Sequence, residues 1–272
     1  MILGTHIYPA SGAAAIRMQR ALDGWASLRG VRLINLQFAG DPSPAAHPAF
    51  ETRSVLRQDS LLRTGVTGPR KPIVSELLDR LVDAAVESRA AYAGFSNADI
   101  LISPAAIERV TTSRDDAVVF SRMDVDGATG APLGEFLSGQ DTLFIRPEAF
   151  HAIRPRLRAY VVGEMPWDVI YTSILLTHVR ASLVNRGDDC RHVFHETIWA
   201  DSPFARYAWR LAHQDWTYFA RWYRYYVPAK TLRARGGSLA EEDSLRDRAF
   251  GPLSPTERLL HAYRSFRYGA LR

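Results

Sequence analysis

The sequence predicts an α/β protein in which a mostly parallel sheet is flanked by helices and followed by a helical extension. Apolar stretches at 2–7 and 31–38 enclose a helical pattern, and a strand–helix–strand unit favours a parallel sheet with a right-handed crossover. An amphipathic pattern at 74–86 leads into a further apolar run. Residues 204–226 interleave aromatic side chains with arginine, which is typical of a helix packed across a catalytic domain.

The first half contains three helical segments by its pattern. The helix after Ser11 is expected to end near Gly30, and stretch 55–62 is expected to form a short helix. The buried face of the first helix is predicted to carry Ile16, Ala21, Leu22 and Trp25. The charged side chains of the helix at 74–86 are predicted to face solvent, namely Glu76, Asp79, Arg80 and Asp83.

Shorter apolar runs predict the remaining strands. They lie at 100–102, 117–123, 140–147 and 181–184. Pro166 is expected to open a helix that continues to Val179, because proline is favoured in the first turn. These elements belong to a predicted catalytic domain at 1–200, and the helical extension occupies 201–272.

Composition limits the class of protein. The 272 residues can bury a full core, and a formal charge of +5 with a pI near 9.5 suits an anionic ligand, a nucleic acid or an acidic membrane surface. A single cysteine excludes an internal disulfide framework. The sequence lacks a signal-peptide pattern and an apolar run of about 20 residues. These features predict a soluble cytoplasmic protein, with peripheral membrane contact as an option.

Polar residues interrupt the apolar run after Tyr92. Ser96, Asn97 and Asp99 separate two stretches that suit buried strands. A buried carboxylate is costly unless it is paired or holds a cation. Two interpretations remain open: a turn in which Asn97 and Asp99 bond their own backbone, or an oxygen ligand for a hard divalent cation.

The segment Ser-Asn-Ala-Asp-Ile-Leu-Ile resembles the Asn-x-Asp variant of the Asp-x-Asp motif in nucleotide-sugar glycosyltransferases of the GT-A fold. The resemblance extends over 2–199 and includes three later segments in the same order. These are Asp141 to Arg146, Trp167-Asp168, and the His-x-x-His-Glu run from His192 to Glu196. It implies a GT-A-like, Rossmann-like sheet and transfer of a sugar from a nucleoside diphosphate to a hydroxyl.

The resemblance also implies the donor site. Asp99 and His195 are the expected ligands of Mn²⁺ or Mg²⁺, with His192 a weaker candidate. The residues expected at the nucleotide and its phosphates are Asn97, Asp99, Arg122 and Asp141, and Arg146 is a second candidate for the phosphates. Asn97 stands where the motif usually has its first acid, so the metal site has one charge fewer. A packed or surface role for the histidines is the alternative.

The acceptor site is expected around the predicted helix after Pro166. Asp168 is the expected general base, Trp167 the sugar-stacking surface, and Glu164 a further acceptor contact. An acid in the first turn of a helix is also stabilised by the helix dipole, so Asp168 has a purely structural alternative. A base on the far face of the sugar implies inversion of the anomeric centre. Without a base there, a route that retains the anomeric configuration is implied.

Two other function classes fit parts of the sequence. A non-catalytic basic adaptor would bind nucleic acid or a membrane surface through the aromatic and arginine-rich extension. A nucleotidyltransferase would share the sheet and metal, but its Gly-rich phosphate loop is reduced here to Ser11-Gly12-Ala13. A glycosyltransferase with a nucleotide-sugar donor and a glycan or other hydroxyl acceptor is the preferred interpretation, and nucleic acid is the least favoured partner.

Overall fold

The computed structural model describes residues 1–185, 187–195 and 201–269. The strands in this part of the chain are β1 (Ile2–Thr5), β2 (Arg32–Phe38), β3 (Glu51–Leu56), β4 (Ala93–Ser96), β5 (Ile100–Ile102), β6 (Ala117–Phe120), β7 (Arg122–Val125), β8 (Pro132–Phe136), β9 (Thr142–Ile145), β10 (Ala181–Val184) and β11 (Cys190–Val193). The helices are α1 (Gly12–Ala26), α2 (Ser60–Thr64), α3 (Val74–Glu87), α4 (Pro104–Thr112), α5 (Pro147–Ile153), α6 (Trp167–His178), α7 (Ala205–Gln214), α8 (Trp216–Ala234), α9 (Leu239–Phe250) and α10 (Pro255–Gly269).

Seven strands form the central sheet in the order β10-β6-β9-β4-β1-β2-β3. Only β9 runs antiparallel to its neighbours, and the other pairs are parallel. The mostly parallel sheet flanked by helices is therefore confirmed. The GT-A type of this sheet stays a prediction.

The sheet is buried on both faces. Successive side chains of a strand alternate between faces. Ile2 therefore packs in one apolar cluster with α3 and α6, whereas Leu3 packs in the other with α1 and α4. This double burial explains why the strands read as continuous apolar runs.

A second, smaller sheet has the order β5-β11-β7-β8. Strand β11 pairs with β5 in antiparallel register, His192 opposite Ile100, and with β7 in parallel register, His192 opposite Asp124. The chain leaves the central sheet at the end of β4, turns through 97–99 and enters this second sheet. Residues 97–99 therefore lie where the two sheets meet.

Three local predictions from the sequence were wrong. Ile16 is 71% exposed, and Met18 takes its place on the buried face of α1 beside the correctly predicted Ala21, Leu22 and Trp25. The predicted helix at 55–62 is the end of β3 followed by the short helix α2. Glu76 is buried rather than solvated, because its carboxylate accepts hydrogen bonds from two backbone amides.

Glu76 joins α3 to the loop after β3. Its two carboxylate oxygens accept from the amides of Arg57 and Gln58 at 2.9 and 2.8 Å. We expect Glu76→Ala to lower the free energy of unfolding by about 2–3 kcal/mol, because two backbone amides lose a charged acceptor. Urea unfolding measures this change, with the exposed helical residue Asp83→Ala as the control. A Glu76 variant as stable as the control would contradict the role of this carboxylate.

The C-terminal helices pack on the sheet domain. Leu211, Tyr218, Trp222 and Phe250 belong to the same apolar cluster as α3 and α6. Trp222 is fully buried, Trp216 is half-buried and Trp209 is 43% exposed, so the three tryptophans do not form one packed stripe. The predicted domain boundary at 200 lies outside the described residues, and the division at that point stays a prediction.

Among the described residues, none of the helices is both long enough and apolar enough to cross a bilayer.

Candidate active site

Residues 97–99 form a tight turn at the carboxyl end of β4. The amide of Ile100 donates to the carbonyl of Asn97 at 3.2 Å, which closes the turn. This part of the turn interpretation is correct, but the side chain of Asp99 bonds neither its own turn nor a helix N-terminus. It faces two histidines instead.

The register of the small sheet brings Asp124, His192 and Asp99 together. His192 lies beside Asp124 across the β7/β11 pair, and its Nδ1 is 2.9 Å from Asp124 Oδ1. Because Ile100 is its partner on β5, the His192 ring also reaches Asp99, with 3.6 Å between Nε2 and Oδ2. His195 Nε2 lies 3.7 Å from the same oxygen.

Asp99, His192 and His195 form a candidate metal site. One ligand atom from each lies within 4.8 Å of the other two. Burial alone would raise the pKa of Asp99, but the neighbouring rings of His192 and His195 outweigh burial and hold this pKa well below its usual range. The Asp99 carboxylate is therefore ionised, as metal ligation requires.

Asp124 orients His192 for this role. Burial would lower the pKa of His192, but hydrogen bonding to Asp124 and Asp99 raises it. The Asp124 carboxylate bonds Nδ1 of His192, so Nε2 is directed at the site. A carboxylate on the second ring nitrogen is the usual support of a metal-bound histidine. The sequence favoured His195 over His192, yet His192 is the better positioned ring, and Asp124 was missed altogether.

The chemistry of this ligand set fits a divalent transition ion. Imidazole suits transition ions such as zinc or iron, whereas magnesium prefers oxygen ligands throughout. Asn97 Oδ1 is buried beside the site without a hydrogen-bond partner in the described residues, so it offers a further oxygen. The set of Asp99, His192 and His195 thus fits a metal, with Asn97 adjacent.

Asn97 is held by Asp141, the residue immediately before β9. Ser96 pairs with Thr142 across the antiparallel strands β4 and β9. Asn97, which follows Ser96, therefore faces Asp141, which precedes Thr142. Asn97 Nδ2 donates to Asp141 Oδ1 at 2.8 Å, and its amide donates to the Asp141 carbonyl at 3.1 Å.

Arg122 completes this polar network. Its guanidinium donates to Asp141, and its Nε donates to Asp124 at 3.1 Å. The predicted donor residues Asn97, Asp99, Arg122 and Asp141 are thus brought together. Arg122 is already bound to Asp124 and Asp141, so its expected contact with phosphates stays a prediction.

Arg146 lies outside this network. Its guanidinium donates to the carbonyls of Ser113 and Asp115 and lies over the Tyr92 ring at the opposite end of β9. The suggested phosphate contact for Arg146 is therefore wrong.

Asp168 lies in the first turn of α6, near Asp141 and Arg122. Burial, reinforced by the negative charge of Asp141, raises the pKa of Asp168 to about 7, against hydrogen bonds from backbone amides and the charge of Arg122. A carboxyl group with a pKa near neutrality can accept a proton and release it again. The helix dipole and the hydrogen bond from the Val169 amide both act to lower this pKa, and burial together with Asp141 outweighs them.

The two predicted acceptor residues are more buried than expected. Trp167 is 2% exposed, and its ring packs edge-on against Phe95 and Tyr171 at 5.7 and 5.9 Å. Glu164 is equally buried and accepts a 2.7 Å hydrogen bond from Lys71 Nζ. Both line the smaller of the two cavities at the site, but the Trp167 ring face belongs to the core, so stacking on a sugar stays an untested prediction.

Two cavities meet at the candidate metal site. Asn97, Asp99, Gly163 and His195 line both of them. The larger one, about 620 Å³, lies over the carboxyl ends of β1, β2 and β4. Its walls include Tyr8, Phe38, Asp41, Arg70 and Lys71.

The smaller cavity, about 260 Å³, contains Asp168 and has an aromatic wall. Helix α8 contributes Phe219, Trp222, Tyr223 and Tyr226 to this wall. The sequence showed these aromatic residues but not their position beside Asp168. Glu196 and Trp199, the last residues of the resembling segments, lie outside the described residues.

No protein-family model matches the sequence, and no curated protein matches it. Among the solved structures that resemble the fold is the mannosyltransferase PcManGT from Pyrobaculum calidifontis, in complex with GDP-Man and Mn²⁺. It is 14% identical, and the match covers 97% of this chain and 72% of that chain with a TM-score of 0.45. A similarity this low supports no conclusion about activity.

Proposed function

We propose that this protein transfers a sugar from a nucleoside-diphosphate sugar to an acceptor hydroxyl. One observation carries the proposal: Asp99 and His195 lie where two cavities meet, and only the smaller cavity contains Asp168. A donor in one cavity and an acceptor in the other would bring their reacting atoms together beside a metal ligand and a base.

The larger cavity suits the nucleotide. Ligands of open α/β sheets bind outside the carboxyl ends of the strands, where the strand order reverses. Here β2 and β3 extend the sheet on one side of β1, and β4 lies on its other side. Tyr8 supplies apolar surface for a base, and the Phe38 ring lies under the Arg70 guanidinium, 3.9 Å from its centre. Arg70 pairs with Asp59 and Lys71 with Glu164, so a phosphate would share these two cations with their acids.

Asp99, His192 and His195 would hold the divalent cation, with Asn97 beside it. When bound, such an ion supplies Lewis-acid neutralisation of the departing diphosphate. Two imidazole ligands beside a carboxylate favour a divalent transition ion over magnesium. Asn97 in place of an acid keeps the net charge of the loaded site more positive, which suits a doubly negative diphosphate.

The smaller cavity suits the acceptor. Of the aromatic side chains of α8 in this cavity, Tyr223 is exposed and Tyr226 is half-buried, so these two present apolar ring surface for the C–H faces of a sugar. Asp168 lines the same cavity. Asp168 takes the proton of the acceptor hydroxyl as the oxygen bonds to the anomeric carbon and the carbon–oxygen bond to the diphosphate breaks. General-base catalysis of this kind contributes about 10²–10⁴-fold.

Thermal unfolding with a panel of nucleoside diphosphates and their sugars, with and without Mn²⁺, tests the donor site. We expect one nucleotide to raise Tm only when Mn²⁺ is present. At a nucleotide concentration ~100 times its Kd, the free energy of unfolding should rise by about 2.7 kcal/mol. No shift with any nucleotide, with or without the ion, would rule out the donor site.

Product analysis with the stabilising donor then separates the two transferase classes. Sugar transfer releases a nucleoside diphosphate, whereas nucleotidyl transfer consumes a nucleoside triphosphate and releases pyrophosphate. Release of pyrophosphate would show that the protein is a nucleotidyltransferase and not the proposed glycosyltransferase.

A further inference from the structure

Helix α10 carries an apolar stripe that faces away from the protein. We define the α10 stripe as Leu259, Ala262, Tyr263 and Phe266, which recur at helical spacing. Leu259 is 73% exposed, Tyr263 53% and Phe266 80%. Large apolar side chains grouped on one exposed face mark an interaction surface, whereas isolated ones do not.

The orientation of this helix is fixed by polar contacts on its opposite face. Glu257 accepts from Arg221 at 2.7 Å, and Ser265 accepts from Arg158 at 2.7 Å. The carbonyl of Tyr268 accepts from Gln214 at 3.1 Å. Turning the stripe inward would break all three contacts, so its exposure belongs to the folded protein.

Positive charge flanks the stripe. Successive residues of an α-helix are 100° apart around its axis. Arg258 and Arg267 therefore lie on opposite sides of the α10 stripe, and both are exposed. The only acid of α10, Glu257, is held by Arg221 and Arg224. The exposed face of the helix therefore combines apolar side chains with two arginines that form no ion pair within residues 1–185, 187–195 and 201–269.

We propose that the α10 stripe docks this protein on an anionic lipid surface. Helices that lie in the membrane interface combine an apolar face with flanking arginine or lysine, and anionic headgroups attract the cations. A second copy of the chain fits less well, because a symmetric contact would bring the flanking arginines of both copies together. Four side chains are also small beside the ~800 Å² per partner of a stable dimer.

Sedimentation of the full chain with lipid vesicles tests this docking without any nucleotide, so the result does not depend on the proposed transfer. We expect binding to phosphatidylcholine vesicles that contain phosphatidylglycerol, weaker binding to phosphatidylcholine alone, and release by salt. The variant Leu259→Ser with Phe266→Ser should bind about 10²-fold more weakly, about tenfold for each side chain removed. The variant Arg258→Gln with Arg267→Gln should lose the preference for anionic lipid.

Ile16→Ser is the matched control, because Ile16 is 71% exposed on α1. It should bind vesicles like the wild type, and every variant should keep its Tm, since the altered side chains are exposed. The proposal is overturned if the wild type does not bind anionic vesicles, or if the stripe variant binds as tightly as Ile16→Ser. It is equally overturned if the wild type is a dimer that the stripe variant dissociates, because a second copy then covers the stripe.

Discussion

Asp168→Asn is expected to lower kcat by about 10²–10⁴-fold while nucleotide binding stays nearly unchanged. The substitution removes the group that takes the acceptor proton but keeps the shape and the hydrogen-bond acceptor of the side chain. Asp168 lines only the smaller cavity, so the donor contacts in the larger one are retained. Steady-state kinetics together with calorimetric titration of the nucleotide measure both quantities.

Asp215→Asn is the matched control. Asp215 is a fully buried acid whose pKa burial likewise raises, to about 6, but it is bound by Arg158 and Tyr160 away from both cavities. We expect this variant to lower Tm and to leave kcat unchanged at temperatures below unfolding. If Asp168→Asn instead weakened binding and turnover equally, Asp168 would be a donor ligand or a structural cap.

The raised pKa of Asp168 also fixes the direction of its pH dependence. The base acts when ionised, so kcat/KM of the wild type should fall as pH drops below about 7. Because the folded-state pKa lies above the unfolded value, the stability that this group contributes is present at low pH and is lost as pH rises towards 7. Above pH 7, Asp168→Asn should therefore unfold at a Tm equal to or higher than that of the wild type.

Asp99→Ala is expected to abolish Mn²⁺ binding and, with it, the metal-dependent stabilisation by nucleotide. The variant removes the carboxylate of the candidate set and leaves His192 and His195 as its remaining members among the described residues. Asp124→Asn, which changes only the support of the His192 ring, should weaken metal affinity by about 10–100-fold. Calorimetric titration of Mn²⁺ compares the two variants.

Asp23→Ala provides the control for Asp99→Ala. Asp23 also pairs with a histidine, His47 Nε2 at 3.0 Å, but this pair lies away from the candidate site. It should bind Mn²⁺ and nucleotide like the wild type. Equal loss in both variants would show a general effect of removing a carboxylate rather than a specific metal site.

Local sequence patterns predicted most of the central sheet. Apolar runs and helical spacing located β1, α1, β2 and α3 within a few residues, because these elements bury continuous faces against the sheet. Glu76 was misplaced for the same reason, since periodicity assigns a charged residue to solvent. Its partners are backbone amides of a loop 18 and 19 residues earlier, and no side-chain pattern reports them.

The candidate site was predicted only in part. Asp99 could be proposed because a carboxylate in an apolar run needs compensation, and Asp168 because its segment resembles the one that carries the general base in GT-A glycosyltransferases. Asp124 and the preferred role of His192 could not be found, because these residues are 68 positions apart and meet only through the register of β7 and β11. The aromatic residues of α8 likewise acquire a role only where the helix packs beside Asp168.

The central claim is that Asp99, His192 and His195 hold a divalent ion that also contacts a bound diphosphate. Electron paramagnetic resonance of free Mn²⁺ during titration of the protein measures this most directly, since bound ion loses the free signal. We predict one Mn²⁺ per chain, bound more tightly when the stabilising nucleoside diphosphate is present, because coupling between two ligands is reciprocal. Mn²⁺ that stays free, or an affinity that no nucleoside diphosphate changes, would contradict this account.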